Sequence, residues 1–374
     1  MFLAASLESL QLFARGDSSL FLSTFGAQCA NLTEFSIFTT DCASISTAFN
    51  SFLSHLTRIK SIDVDATSCR SFGNLSTLTT LQTLIVRKNS RNKFELRDQM
   101  QFPSLVDLEL HFFSFKTIGR MLNSMSTPQL NSIDLDSVSY SKAHVIRAFF
   151  DRLQKRVPVN QWHAITIDTD AETVPIDFTP DDTITLHTFQ PLLSFANLAH
   201  ANIQLNAGFQ LSDECVARIA EAWPLIETLR LTLPYEAKRA VASSITIAGL
   251  QAFARHCPLL QSLGLTLDGT IQPPKFKSTV AVAHQELLRF IDVGVSILSS
   301  PEDAAEFLST VFPSLSKIET YWESYNYIQD EFDSATAWNT VQSHLRLGIK
   351  VRTRERNWGR LHGSSLPPID DGSD

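Results

Sequence analysis

The stretch "AWPLIETLRLTLP" (Ala222–Pro234) returns 34 residues later as "HCPLLQSLGLTLD" (His256–Asp268). In both copies an aromatic residue or a cysteine precedes a proline, and apolar residues follow at the same offsets. Self-similarity of this kind is typical of a repeat architecture, in which each unit is too small to bury its own core and stacks on its neighbours. These two segments therefore predict a chain built from stacked units.

The pattern common to the units is L-x-x-L-x-L, with other apolar residues allowed at the key positions. It occurs in twelve candidate units, whose middle apolar residues lie 22 to 36 positions apart. A period of this length predicts a solenoid with one short strand per unit. The middle residues are Leu10, Phe35, Ile62, Leu84, Leu108, Ile133, Ile165, Ala201, Leu229, Leu263, Ile291 and Ile318.

Strand geometry explains the spacing within a unit. Successive side chains of a strand point to opposite faces, so both apolar residues of L-x-L point inward and the residue between them points outward. Between the strands, segments such as "SDECVARIAEAW" (Ser212–Trp223) place Val216 and Ile219 on one helical face. The proline that follows ends the helix because it lacks an amide hydrogen, and the residue before it is expected to fill the core. This assigns Cys29 and Cys257 to the core as small apolar residues.

The alternation of P-x-L-x-x-L-x-L strands with helices of 10 to 15 residues resembles the leucine-rich-repeat portion of F-box proteins, above all the divergent fungal ones. "WNTVQSHLRLGIKVRTRERNW" (Trp338–Trp358) is similar to the final Trp-led helix and basic segment of many such proteins. The resemblance implies a right-handed α/β solenoid, with parallel strands on the concave face and helices on the convex face. The three-helix F-box itself has no counterpart before the first unit.

This interpretation divides the chain into a solenoid over residues 1–335, a C-terminal helix and basic capping segment over 336–362, and a disordered tail over 363–374. Within the capping segment, the alternation from Ile349 to Arg354 predicts a last strand with its basic residues pointing outward. A nucleic-acid-binding arm is the alternative for this segment.

Composition excludes several classes of protein. The formal net charge of −8 disfavours a nucleic-acid binder, which normally carries a basic surface. The five cysteines are scattered and odd in number, which fits a reducing compartment better than a disulfide framework. No apolar run is long enough for a transmembrane helix, and we expect a cytoplasmic or nuclear protein with no membrane partner.

No catalytic, cofactor-binding or metal-binding pattern is present. The phosphate-binding motifs G-x-x-x-x-G-K and G-x-G-x-x-G do not occur, and the ten histidines form no H-E-x-x-H motif. The Asp-x-Asp at the start of Asp168–Asp182 lacks the central glycine and the final glutamate of a calcium loop, so an acidic loop is expected there. We expect no enzymatic activity, no cofactor and no metal.

The outward positions of the strands give the candidate site. Acidic residues recur there in neighbouring units, which predicts a concave-face patch that binds a Lys/Arg-rich segment of a protein partner. The alternative is a set of ordinary solvated acids in an acidic protein. The candidate partner-binding residues are Asp63, Asp65, Asp107, Glu109, His111, Asp134, Asp136 and Asp168.

The resemblance also implies a function. It favours the substrate-binding arm of an F-box-type ubiquitin ligase subunit, which would contact the ligase adaptor only through an additional N-terminal F-box. The alternative is a stand-alone leucine-rich-repeat scaffold with no role in ubiquitin transfer.

Overall fold

The computed structural model describes residues 7–14, 20, 22, 24, 26–39, 46–65, 72–88, 99–169, 182–233, 243–276, 283–321 and 329–362. The predicted disordered tail and most of the predicted acidic loop, residues 170–181, lie outside these ranges.

Twelve short parallel strands follow one another in chain order, one for each unit of the repeat. They belong to two compact units: residues 1–211 with 222–241, and residues 212–221 with 242–374. The first unit contains nine of the strands and the second contains three. The strands are β1 (Ser9–Ala14), β2 (Glu34–Thr39), β3 (Ser61–Asp65), β4 (Thr83–Arg87), β5 (Asp107–His111), β6 (Ser132–Val138), β7 (Ala164–Thr169), β8 (His200–Gln204), β9 (Thr228–Thr232), β10 (Ser262–Leu265), β11 (Phe290–Asp292) and β12 (Lys317–Glu319).

The strands alternate between buried and partly exposed residues, as the L-x-L pattern predicts. In β3, β4 and β5 the second and fourth residues are buried and the others are partly exposed. The registers join equivalent apolar positions, for example Leu84 beside Leu108 and Leu108 beside Ile133. The inward side chains therefore stack into columns through the unit. The predicted α/β leucine-rich-repeat solenoid is confirmed.

The segments between the strands contain short helices with one buried face. Phe115 on α3 and Phe149 on α4, for example, have ring centroids 5.3 Å apart, so neighbouring helices share an apolar layer. The α-helices are α1 (Ser46–Leu53), α2 (Phe72–Leu75), α3 (Phe115–Ser124), α4 (Ala143–Arg156), α5 (Leu186–Phe189), α6 (Asp213–Ala222), α7 (Gln251–His256), α8 (Pro301–Val311) and α9 (Gln329–His362). Three 3₁₀ turns, Gly26–Cys29, Leu192–Ser194 and Ala248–Leu250, and two small strand pairs, Met100–Gln101 with Met125–Ser126 and Asp268–Gly269 with Ile297–Leu298, complete the described elements.

The residues before the helix-ending prolines fill the core, as expected. Phe102, Trp223, Cys257 and Phe312 are all fully buried. Burial raises the pKa of the Cys257 thiol to about 12 because the thiolate would lose its hydration. Such a thiol stays protonated and serves as a packing group.

A partly buried hydrogen-bond network joins two consecutive helical segments of the second unit. Asp213, the first residue of α6, accepts hydrogen bonds from the backbone N–H and the hydroxyl of Thr246, both at 2.7 Å. Gly249 approaches the same carboxylate so closely that a Cβ there would lie 2.1 Å from Asp213 Oδ1. The carboxylate thus fixes the turn that leads into α7.

The predicted strand from Ile349 to Arg354 is wrong, because these residues are part of α9. Trp338, Val341 and Leu345 are buried at helical spacing, and the Trp338 indole N–H donates to Ser296 O at 3.0 Å. These contacts stabilise this part of the helix. Once a helix is nucleated, each further residue adds a hydrogen bond at low cost. The following Lys and Arg residues, which are good helix formers, therefore extend it through the short alternating stretch. The helix begins at Gln329, before the predicted boundary at residue 336.

Truncating an inward leucine tests the stacked core. We expect Leu108→Ala, at a fully buried position, to lower the free energy of unfolding by about 2–5 kcal/mol through lost burial and a residual cavity. Leu287→Ala is the control, because this side chain is 40% exposed. Urea unfolding followed by circular dichroism measures both, and equal losses in the two variants would contradict the assignment of Leu108 to the core.

Removing the Asp213 carboxylate tests the network at α6. Asp213→Ala leaves the Thr246 N–H without its acceptor, so we expect a loss of about 1–3 kcal/mol in unfolding free energy. The neighbouring Glu214→Ala removes an exposed carboxylate from the same helix turn and should change stability by less than about 0.5 kcal/mol. Thermal unfolding of both variants provides the comparison, and an unchanged midpoint for Asp213→Ala would refute the structural role.

Candidate functional site

The parallel register arranges the outward side chains of β3–β6 in two adjoining rows. Within each row, neighbouring residues face each other across paired strands, which lie about 4.8 Å apart. The first row contains Asp63, Ile85, Glu109 and Asp134, and the second contains Asp65, Arg87, His111 and Asp136.

Arg87 divides the predicted acidic patch. Its guanidinium forms an ion pair with the Asp63 carboxylate on the preceding strand. The same guanidinium lies 5.3 Å from the centre of the Phe38 ring, within the range of a cation–π contact. The charge of Asp63 is therefore offset inside the protein, and Asp65 faces Arg87 across the register. The structure brings these two predicted residues to Arg87 instead of to the acids of β5 and β6.

Asp107, at the start of β5 and outside both rows, accepts hydrogen bonds from hydroxyl groups of the two neighbouring strands. The Ser132 hydroxyl donates to Asp107 Oδ1 at 2.5 Å, and the Thr83 hydroxyl lies 3.5 Å from Oδ2. Hydroxyl donors on both neighbouring strands thus compensate the carboxylate for its partial burial. Asp107 accordingly belongs to the face as a structural acceptor.

The remaining acids of β5 and β6 surround one histidine. His111 Nδ1 lies 2.8 Å from Asp136 Oδ2, and His111 Nε2 lies 3.7 Å from Glu109 Oε2. The side chains of Glu109 and Asp136 are 36% and 43% exposed, whereas His111 is largely covered. We call Glu109, His111, Asp134 and Asp136 the acidic cluster. Its three carboxylates exceed the single charge that a protonated His111 can supply.

Burial and like charges act together on Asp134. Desolvation raises the pKa of its carboxyl, and the negative charges of Glu109, Asp136 and Asp168 raise it further, to about 6, although His111 acts in the opposite direction. The contact with Glu109 raises the pKa of His111, partly against the effect of burial, and Asp136 adds to the rise. Protonation of either group therefore becomes easier in the folded protein, since both changes reduce the negative charge of the cluster.

Asp168 lies beside the acidic cluster but outside its rows. The pairing of β6 with β7 shifts register between Leu135 and Val138, as at a β-bulge, so two residues of β6, Asp136 and Ser137, lie opposite the single residue Asp168. On its other side it faces Gln204 of β8. The sequence pattern could not reveal this extra residue, because both strands keep their apolar alternation.

The same face carries aromatic residues that the search for charged groups did not find. Phe13 on β1 and Phe38 on β2 face each other in register and stack with ring centroids 5.1 Å apart. Phe13 is 73% exposed, and we call these two residues the aromatic pair. The sequence could have indicated their outward orientation, because Phe13 and Phe38 directly follow the inward positions Leu12 and Ile37 of their strands.

Phe112 places another exposed aromatic ring next to the acidic cluster. It follows β5 with a φ of 63°, in the left-handed region that costs a residue with a side chain about 1–2 kcal/mol. Its N–H donates to Asp136 O at 3.0 Å, which holds the backbone in this conformation. The ring is exposed, with its centroid 6.5 Å from that of His111.

The described residues contain no group of three or more His, Cys, Asp or Glu side chains placed to hold a metal ion. Within the same part of the chain, no helix combines the length and the apolar composition needed to cross a bilayer.

Comparison with family models and with curated proteins found no match. Three solved structures share a general similarity with this chain at low sequence identity. One is a protein from Bacteroides fragilis, with a TM-score of 0.37 and 12% identity over 81% of this chain and 68% of that chain. The second is from a yeast complex of Rad7 and Elc1, with a TM-score of 0.34 and 10% identity over 81% of each chain. The third, an internalin from Listeria monocytogenes, has a TM-score of 0.33 and 10% identity over 78% of this chain and 75% of that chain.

The raised pKa of Asp134 predicts a pH-dependent effect of Asp134→Asn. Asp134 loses its proton more easily in the unfolded chain than in the folded protein. Above about pH 6, where the carboxyl is ionised in both states, Asp134 therefore destabilises the fold. Removing the charge should raise stability at pH 7.5 by about 1 kcal/mol, allowing for screening by solvent. The gain should shrink as the pH falls through 6 towards 4, because the wild-type carboxyl is then protonated in the fold.

Thermal unfolding at pH 7.5 and pH 5.0 measures this difference. Glu221→Gln, on the exposed side of α6, removes a charge outside the acidic cluster and serves as the matched control. A destabilised Asp134→Asn at pH 7.5, or a gain equal at both pH values, would show that the cluster does not strain the fold.

Proposed function

We propose that the protein is a recognition module that binds a basic segment of a partner protein on the outward face of β1–β6. The observation that carries the proposal is the acidic cluster, in which Glu109, Asp134 and Asp136 surround a single histidine on a partly exposed surface. Ser132 and Arg87 offset the charges of Asp107 and Asp63, and His111 lies within ion-pair distance of Glu109 and Asp136 in the cluster.

An excess of carboxylates over basic groups in the acidic cluster favours binding of the opposite charge. Like carboxylates held on neighbouring strands repel each other, and a Lys or Arg side chain from a partner would remove that repulsion on binding. Arg has the further advantage that its planar guanidinium can contact two carboxylate oxygens at once. A basic partner would also keep Asp134 ionised, so binding should strengthen as the pH rises through about 6.

The aromatic pair supplies the apolar contact that charge alone lacks. Phe38 on β2 is three strands from Glu109 on β5, a distance of about 14 Å at the usual strand spacing. An extended peptide covers about 3.3 Å per residue, so a ligand crossing the strands would need its apolar and its basic residues about four positions apart. Arg87 lies between the two sites and disfavours a basic residue in that interval.

The more specific function is the substrate-binding arm of an F-box-type ubiquitin ligase subunit. It is supported by the P-x-L-x-x-L-x-L units and the Trp-led C-terminal segment that resemble such proteins. In this role the face would hold the substrate, and other subunits would transfer ubiquitin. A stand-alone scaffold would use the same face without a ligase adaptor.

Peptide selection tests the recognition surface. A random peptide library displayed on phage and selected on the full chain should yield sequences enriched in Lys and Arg. We expect Asp134→Lys combined with Asp136→Lys to weaken a selected peptide at least about tenfold, since two attractive contacts become repulsive. Glu214→Lys combined with Glu221→Lys makes the same charge change on α6 and should leave affinity within about twofold.

Selection of peptides without basic residues, or equal weakening by the two double variants, would refute the assignment of this face.

The ligase role has a separate test. Purification of the natural full-length protein from its own cells, followed by mass spectrometry, should recover a ligase adaptor and a cullin at stoichiometric levels. Stable recovery of other partners without these two would favour the scaffold.

A further inference from the structure

The second half of α9 has one face on the protein and another face in solvent. Val341 and Leu345 are buried, and Arg352 Nη2 donates to Pro313 O at 2.9 Å, so this side is fixed to the residues that follow α8. Leu347 and Val351 are 60% and 45% exposed. Two residues correspond to a rotation of about 200° around a helix, so Leu345 and Leu347 lie on opposite sides.

Leu347 and Val351 form an apolar stripe, because residues four apart are neighbours on a helix surface. Three exposed basic residues accompany the stripe, namely Arg346, Lys350 and Arg354. We call these five residues the α9 stripe. The α9 stripe differs from a buried helix face in two ways. Its apolar side chains have charged neighbours, and none of the described residues shields them from solvent.

The basic residues of the α9 stripe are spaced unfavourably for an isolated helix. Arg346, Lys350 and Arg354 follow one another at intervals of four, and each like-charged pair costs about 0.2–0.5 kcal/mol. The helix dipole does not offset this, because its effect is confined to the last turn and α9 continues to His362. An acidic ligand would remove the repulsion and cover the apolar side chains together.

We propose that the α9 stripe is a docking surface for an acidic amphipathic segment of a partner protein. A second copy of this helix is a poor occupant, because pairing two stripes would bring Arg346, Lys350 and Arg354 against the same residues. An anionic membrane fits less well, since a helix that lies in a bilayer surface needs a broad apolar face and this one offers two aliphatic side chains. The surface is independent of the acidic cluster and selects the opposite charge.

A designed peptide tests this inference directly. The probe is a fluorescein-labelled helical peptide with Leu at intervals of three and four and Glu at most other positions, titrated with the full-length chain. We expect saturable binding by fluorescence anisotropy. Leu347→Ser with Val351→Ser should weaken binding about tenfold, as expected for losing the burial of two half-exposed apolar side chains. Lys350→Glu with Arg354→Glu should weaken it at least as much and reduce its dependence on salt.

Matched variants control for charge and for folding. Leu259→Ser removes another partly exposed leucine, and Arg255→Glu reverses an exposed charge on α7; both should leave affinity within about twofold. Circular dichroism should show that all variants keep the wild-type melting temperature, because every substituted side chain of the α9 stripe is exposed.

Three outcomes would overturn the proposal. The first is absence of peptide binding, and the second is binding that responds to the charge variants but not to the apolar ones. The third is binding of the full chain to vesicles of phosphatidylserine and phosphatidylcholine while the peptide fails to bind, which would assign the α9 stripe to a membrane surface.

Discussion

Parallel pairing of consecutive strands, with equivalent apolar positions side by side, is the constraint on which the rest of the structure depends. Each pair places apolar residues of one repeat beside those of the next, as with Leu84, Leu108 and Ile133. The buried columns that result hold the strands together and, by the same geometry, force the intervening side chains outward. Both the core and the candidate binding face are consequences of this register, because a shift by one residue would exchange them.

The surface chemistry follows from how much of each charge the protein compensates by itself. Arg87 and Ser132 compensate Asp63 and Asp107 across single strand spacings. In the acidic cluster three carboxylates lie around His111, and burial together with these like charges raises the pKa of Asp134. Both titrations lower the negative charge on acidification, so the cluster opposes the fold least in mildly acidic solution.

The strands and most helices were predictable because their apolar periodicities are local. Asp213–Ala222 shows its buried residues Val216 and Ile219 in the sequence itself. The C-terminal segment was not predictable in the same way, since two apolar residues in a short basic stretch fit a strand as well as a helix. Burial of Trp338 against Ser296 O, which decides the matter, is a contact between residues distant in the chain.

The candidate site was predictable in composition but not in its pairings. The outward positions of Asp63, Glu109 and Asp134 follow from strand alternation, and the strand register places these three residues in one row. Which acids are neutralised depends on side-chain conformations of Arg87 and His111 that no pattern encodes. The displacement of Asp168 depends on an extra residue in the β6–β7 pairing. The aromatic pair was overlooked because Phe is common throughout this chain.

The contact between Gly249 and Asp213 has an evolutionary consequence. A side chain at position 249 would force the carboxylate at 213 to move, since a Cβ there would lie 2.1 Å from Asp213 Oδ1. Relatives that carry a side chain at 249 should therefore also have changed Asp213, with the turn before α7 rebuilt by another acceptor for the Thr246 amide. Replacement of Gly249 alone should be rare among descendants, whereas replacement of Asp213 alone meets no steric obstacle from position 249.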